Sequence, residues 1–150
     1  VLMHAYREFT YRGTSGTDIH DVTGDVRRTV AEAGVEDGLV SVFAPGSTAA
    51  VTTIEYESGV LDDLRRVLEE IAPQVGHYDH DARWGDGNGY AHVRAALLGP
   101  GITIPVHEGS LVLGTWQQVV LLDFDNRARD RLLAVTVLGD SGLAGAGPRP

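Results

Sequence analysis

The chain has 150 residues, 43% of them hydrophobic, with 19 glycines and no cysteine, which suits one folded domain with a sizeable core and excludes disulfides and thiolate metal sites. Its net charge is −9 and all 12 basic residues are arginine; so acidic a surface repels phosphate backbones and excludes nucleic acid as a partner. No apolar run reaches bilayer length and no secretory signal pattern opens the sequence, so no membrane association is expected and the cytoplasm is the expected location. Codon bias and adaptation to high salt account equally well for the missing lysine.

Loose alternation predicts an edge strand over Met3–Arg12, followed by a turn-rich stretch at 13–16. Asp21 and Thr23 stand where a helix would be capped, and Val22, Val26, Thr29, Val30 and Ala33 share one face up to Gly34, a C-terminal cap. Asp37-Gly38 turns into a strand over Leu39–Phe43. Pro45-Gly46-Ser47 breaks it, and Ala49–Glu57 resumes as a second strand. Glu55 would then be a costly inward carboxylate, unless it lies beyond the buried part, which is the favoured reading. Val60–Ala72 has the clearest helical stripe, with Leu61, Leu64, Leu68 and Ile71 against Arg65, Arg66, Glu69 and Glu70, and Pro73 stops it. Residues 73–88 read as a long loop, Ala91–Leu98 as a helix stopped by Gly99, and Ile102–Val106 as a short strand. Leu111–Phe124 reads as one long strand, apolar on both faces at Val119–Leu122 and hence inside a sheet. The last strand is Leu132–Leu138, and a Gly/Pro/Ala-rich tail covers 140–150. The fold class is α+β: one domain over residues 1–139, with a mixed, largely antiparallel sheet and about three helices.

The densest run of polar and ionisable groups between apolar segments is Tyr78–Gln117. It holds His80, the turn Gly85-Asp86-Gly87-Asn88-Gly89, and His92 in the first turn of a helix, where the dipole favours an anion nearby. His80 and His92, joined by Glu55 or Asp79, would suit a divalent cation such as zinc, or one imidazole would serve as general acid or base. His77 and His107 read as incidental. Ser47 and Thr48 offer hydroxyls at a strand break. Arg127, Arg129 and Arg131 alternate on one face, suited either to phosphate or to pairing with Asp123, Asp125 and Asp130. Trp116 is expected to pack, and Gln117 to bond a ligand or the backbone. There is no Walker loop or dinucleotide fingerprint.

Tyr78-x-His80, Asn88-Gly89-Tyr90-Ala91-His92, Leu98-Gly99, Pro105-Val106, Gly109 and Leu113-Gly114-Thr115-Trp116-Gln117, in that order, resemble the YjbQ-like family over about Asp21 to Gly139. That family is linked to a weak, secondary thiamine-phosphate synthase activity. The resemblance implies a homotrimer, for which the apolar strand from Val119 offers surface. It also implies a site with His80, Asn88 and His92 catalytic and His80 and His92 on a metal; the residue types of Ser47, Thr48, Gln117 and Arg129 add contacts for a small phosphorylated substrate. The reaction it implies joins a pyrimidine diphosphate to a thiazole phosphate with release of pyrophosphate. The alternatives are a non-catalytic trimer that binds a small anion or metal, and a member whose site has decayed, because the family's histidine before Ser47 is replaced by Gly46. A histidine restored at 46 is expected to raise zinc affinity if three imidazoles converge, or to strain the turn if Gly46 needs positive φ.

Overall fold

The computed structural model describes residues 2–14 and 16–142. The element order is β1 (Leu2–Thr14), β2 (Asp18–Asp21), α1 (Thr23–Ala33), β3 (Asp37–Phe43), β4 (Ala49–Ile54), α2 (Ser58–Ile71), α3 (Asp79–Trp84), α4 (Gly89–Leu98), β5 (Gly101–His107), β6 (Ser110–Leu111), β7 (Gln118–Asp123) and β8 (Arg129–Asp140). The α+β class is as the pattern predicts, with two sheets and four helices among the described residues. The larger sheet runs β1-β8-β3-β5-β6 and the smaller β2-β7-β4, and the strand pairs described are antiparallel. The predicted tail lies, from residue 143, outside the described residues.

The strand pattern explains the layering. In β3, Val40 and Val42 point inward and are fully buried, while Leu39 and Phe43 point out and are exposed. The inward side chains meet Val22, Val26 and Val30 of α1, Val135 and Val137 of β8, and Val119 and Leu121 of β7 in one core between the sheets. The opposite face of the small sheet, with Val120 and Leu122, packs on Leu61 and Leu68 of α2 and on Tyr90, Ala91 and Ala95 of α4. All four β7 side chains from Val119 to Leu122 are 0% exposed, as their uniform apolarity predicts. At about 1.5–3 kcal/mol for each side chain, this strand alone stabilises the fold by a gross amount comparable to a whole domain's net stability. It therefore has no surface left for a trimer contact, contrary to the expectation for the strand from Val119.

Several elements differ from the sequence reading for local reasons. The long strand expected over Leu111–Phe124 is split: residues 112–117 form a turn, closed by the Gln117 amide on Gly114 O and by Gln117 Oε1 accepting from the Gly114 amide, both at 3.0 Å. Trp116 on that turn is 73% exposed, so it does not pack. β4 ends at Ile54 rather than Glu57, because Glu57 caps α2, accepting from the amides of Gly59 at 2.7 Å and Val60 at 2.9 Å. The residue flanking α1 is Val22, and Asp21 serves it from one position earlier by accepting from the Thr23 amide and hydroxyl. The expected loop over 73–88 contains α3, a six-residue helix closed by Gly85 at φ 65°. β2 is a further short strand, held by its antiparallel pairing with β7.

Candidate functional site

The site forms where the chain crosses between sheets. Pro45–Thr48 leads from β3 of the large sheet to β4 of the small one, the β7–β8 turn passes beside it, and the α3–α4 turn closes the third side. A cavity of about 480 Å³ lies there, lined by Gly46, Ser47, Thr48, Asp86, Asn88, His92, Asp125, Arg129 and Arg131 among others. A second, apolar cavity of about 260 Å³ adjoins it, lined by Ala49, Ala95, Ala96 and Pro100; Gly46, Ser47 and His92 border both.

The floor is a buried charge network. Asp123 and Asp125 end the apolar β7 run and are 0% and 1% exposed. Carboxylates so deep need partners. Arg131 Nη2 donates to Asp123 Oδ1 at 2.7 Å and to Thr48 Oγ1 at 2.5 Å. Asp125 accepts from the Thr48 hydroxyl at 3.0 Å and the Arg127 amide at 2.9 Å, and Arg129 Nε lies 3.2 Å away. Burial alone would raise the Asp125 pKa; the Arg127 amide, the Thr48 hydroxyl, the Arg129 charge and the Asn88 side chain outweigh it and hold the carboxyl below its ordinary value.

The histidine wall comes from α3 and α4. The rings of His80 and His92 stand 4.4 Å apart between centroids, tilted by 40°. Asp81 fastens the two helices by accepting from the Gly89 amide at 2.8 Å, and Gly89 leaves no room for a side chain, since a Cβ there would lie 2.6 Å from Tyr78 Cβ. His80 Nδ1 faces Asp86 Oδ1 at 3.3 Å and Asp81 Oδ1 at 3.6 Å. One donor atom each from His80, Asp81 and Asp86 falls within 4.8 Å, so the groups that could share a cation are one imidazole and two carboxylates. The carboxylates expected with the histidines are elsewhere: Glu55 is exposed beyond the end of β4, and Asp79 is fully exposed beside His77. His92 lines both cavities instead of joining that donor group.

Of the other predicted positions, Ser47, Thr48, Asn88 and Arg129 line the larger cavity. Thr48 and Asn88 are buried braces: Asn88 Oδ1 accepts from the Asn126 amide at 3.1 Å and ties α4 to the β7–β8 turn. Gln117 is not brought to them. It bonds Thr53 Oγ1 at 2.9 Å near the far end of β4, and at about 3.3 Å per residue that end is ~17 Å from Ala49. His107 is exposed and bonds Asp37 at 2.6 Å, away from the cavity, as its incidental reading expects.

Two buried arginines build this region in ways the sequence pattern does not show. Arg131 is buried, and the signal was the pair of carboxylates closing an apolar strand, which demand a cation in the next one. Arg94 is 1% exposed and holds the histidine-bearing helix: it donates to Ala72 O at 2.9 Å, Thr17 Oγ1 at 3.0 Å and Glu69 Oε2 at 2.7 Å, and lies 5.0 Å from the Tyr90 ring centre.

These features define an α+β protein of two stacked antiparallel sheets whose crossover carries a cavity lined with histidine, arginine and carboxylate. A family model described as "UPF0047 protein YjbQ-like" matches residues 7–140, and the chain belongs to that family. It is 37% identical over 126 residues to a UPF0047 protein of Archaeoglobus fulgidus, covering 84% of this chain and 96% of that one. It is 36% identical over 140 residues to one of Methanothermobacter thermautotrophicus, covering 93% and 96%. Among solved structures it is similar to a YbjQ-like protein of unknown function from Sulfolobus solfataricus P2, with TM-score 0.88 and 28% identity over 93% of this chain and all of that one. A YjbQ/UPF0047 family protein from Clostridium acetobutylicum matches with TM-score 0.80 and 35% identity over 87% and 98%. No helix among the described residues is long and apolar enough to cross a membrane.

Proposed function

We propose that this protein acts in the cytoplasm on a small phosphorylated molecule, and that its reaction resembles secondary thiamine-phosphate synthesis as a side activity: a pyrimidine diphosphate joins a thiazole phosphate and pyrophosphate leaves. The observation that carries this reading is the junction of a polar cavity bearing Arg129, Ser47 and His92 with an apolar cavity of ring-accommodating size. Charge builds on the leaving diphosphate, and Arg129 beside it would receive that charge, with His92 in reach to donate a hydrogen bond or a proton. Ala95, Ala96 and Pro100 would hold an aromatic ring free of water. A divalent cation such as zinc would fit His80 with Asp81 and Asp86, and would supply positive charge to the diphosphate. The test incubates protein with both substrates and divalent metal and follows thiamine phosphate and pyrophosphate together; formation of neither at high protein concentration refutes the reading.

A second reading, binding of a small anion or metal without catalysis, is favoured by Gly46 at the position where the resemblance implies a third imidazole. Ligand-induced thermal stabilisation without turnover would select it. For the homotrimer, the support is the outer face of the large sheet, where Tyr6, Leu39, Phe43 and Leu138 are all more than two-fifths exposed. Light scattering that shows only monomer at micromolar concentration would remove that proposal.

A further inference from the structure

We infer that Arg131, uncovered by the glycine at position 46, is the anion-holding group of the larger cavity and takes a phosphoryl group of the ligand. The inference rests on the proposed function only for the ligand being phosphorylated. Arg131 is 7% exposed, and a cation this deep persists only when paired. It is paired from behind: both of its hydrogen bonds among the described residues, to Asp123 and Thr48, leave from Nη2. Nε is buried and has no hydrogen-bond partner among the described residues. Nη1 lies 3.5 Å from where a Cβ on residue 46 would stand, and both residues line the cavity. A guanidinium carries five N–H donors in a rigid plane, and here Nη2 is anchored to the protein while Nη1 faces the open position 46 and is left for a ligand. A charged N–H donor of this kind suits a phosphoryl oxygen.

The neighbouring charges fit this assignment. Asp123 and Asp125 are buried under Arg131, Thr48 and the Arg127 amide, so they hold the guanidinium in place beneath the cavity. Ser47 brings a hydroxyl to the same wall. Asp86 and Asp130 stand at the rim and oppose a bare anion, so a phosphoryl group binds best when the rest of its ligand fills the adjoining apolar cavity. A side chain on residue 46 would project toward Nη1. The histidine that the resemblance implies there would stand between the arginine and the ligand, whereas glycine leaves that line open.

The test uses the whole chain labelled with 15N-arginine, titrated with inorganic phosphate against chloride at constant ionic strength. The Arg131 Nε–H signal, assigned through the backbone, is expected to shift saturably with phosphate. Arg131→Lys keeps a positive charge on Asp123 but loses the planar fork, and is expected to weaken phosphate binding by about tenfold, the worth of one charge-assisted hydrogen bond. A signal that follows ionic strength alone, or unchanged phosphate affinity in Arg131→Lys, overturns the inference. If the lysine variant fails to fold, the shift in the native protein decides by itself. Thiamine-phosphate formation is scored separately: phosphate bound at Arg131 without synthesis sinks the synthase reading alone, and synthesis with no phosphate effect at Arg131 sinks the anion site alone.

Discussion

Gly46→His is the substitution whose outcome separates most sharply what the fold allows from what the family resemblance implies. Gly46 has φ 148°, in the region that side chains other than glycine avoid. Holding an L-residue there costs about 1–3 kcal/mol. The Cβ itself meets only Arg131 Nη1, at 3.5 Å, an ordinary contact, so backbone strain dominates the cost and little clash adds to it. For a chain of this size each kcal/mol lowers the melting temperature by roughly 2–4 °C, so a cost of about 2 kcal/mol lowers it by roughly 4–8 °C. The new imidazole would start beside a guanidinium, a poor neighbour for a bound cation. The donors already within reach of a cation are His80, Asp81 and Asp86, on other elements. Zinc affinity is therefore expected not to rise, while phosphate binding falls because the space before Nη1 is filled. Melting temperature and zinc titration on the same sample check both parts. An unchanged melting temperature with zinc bound about tenfold tighter would refute the reasoning, because it would mean that the turn relaxes and three imidazoles converge.

Three further outcomes are expected. Arg94→Leu leaves the Ala72 carbonyl and the Thr17 hydroxyl without their buried donor and should cost about 3 kcal/mol in urea unfolding; a loss below about 1 kcal/mol would show that water replaces the guanidinium. The Asp125 carboxyl titrates below its ordinary 3.8, so its contribution is present above that pH and fades as pH falls through the lowered folded value. The melting-temperature gap between the native protein and Asp125→Asn should thus be widest near neutrality and close in acid, and a gap that widens in acid would contradict the pairing. His92→Ala should abolish ligand-induced stabilisation while His107→Ala, altered on an exposed turn, keeps it; the reverse would move the site away from α4.

Where a side chain's surroundings are set by its own element, the sequence shows them. The unbroken apolarity of Val119–Leu122 announces a strand covered on both faces, and the stripe of Val60–Ala72 announces α2. Glu55 reads correctly as lying beyond the buried strand, since Glu57 just after it is committed to capping. The parts that escape reading depend on partners distant in sequence. β2 has four residues and exists through its pairing with β7. α3 buries no residue and shows no stripe. The turn at 112–117 hides because Gln117 closes it with a side chain, which alternation cannot register. The cavity follows the same division. The meeting of His80 and His92 comes from the family resemblance, because twelve residues of spacing specify no distance. The alternation of Arg129 and Arg131 places both on one face, but cannot tell that one is held at the surface and the other sunk on Asp123.

The double coverage of β7 has a consequence for how the molecule opens. Alternate residues of one strand are the inner wall of two separate cores, so neither the helical layer nor the large sheet can melt without exposing the other's partner. Amides of Gln118–Asp123 should then exchange with solvent only through global unfolding, more slowly than those of β1 or α3. Asp123, at the end of this strand, carries Arg131. The floor of the cavity is thereby built into the last part of the protein to come undone, while His80 sits on a six-residue helix with no buried residue, which should open at lower cost.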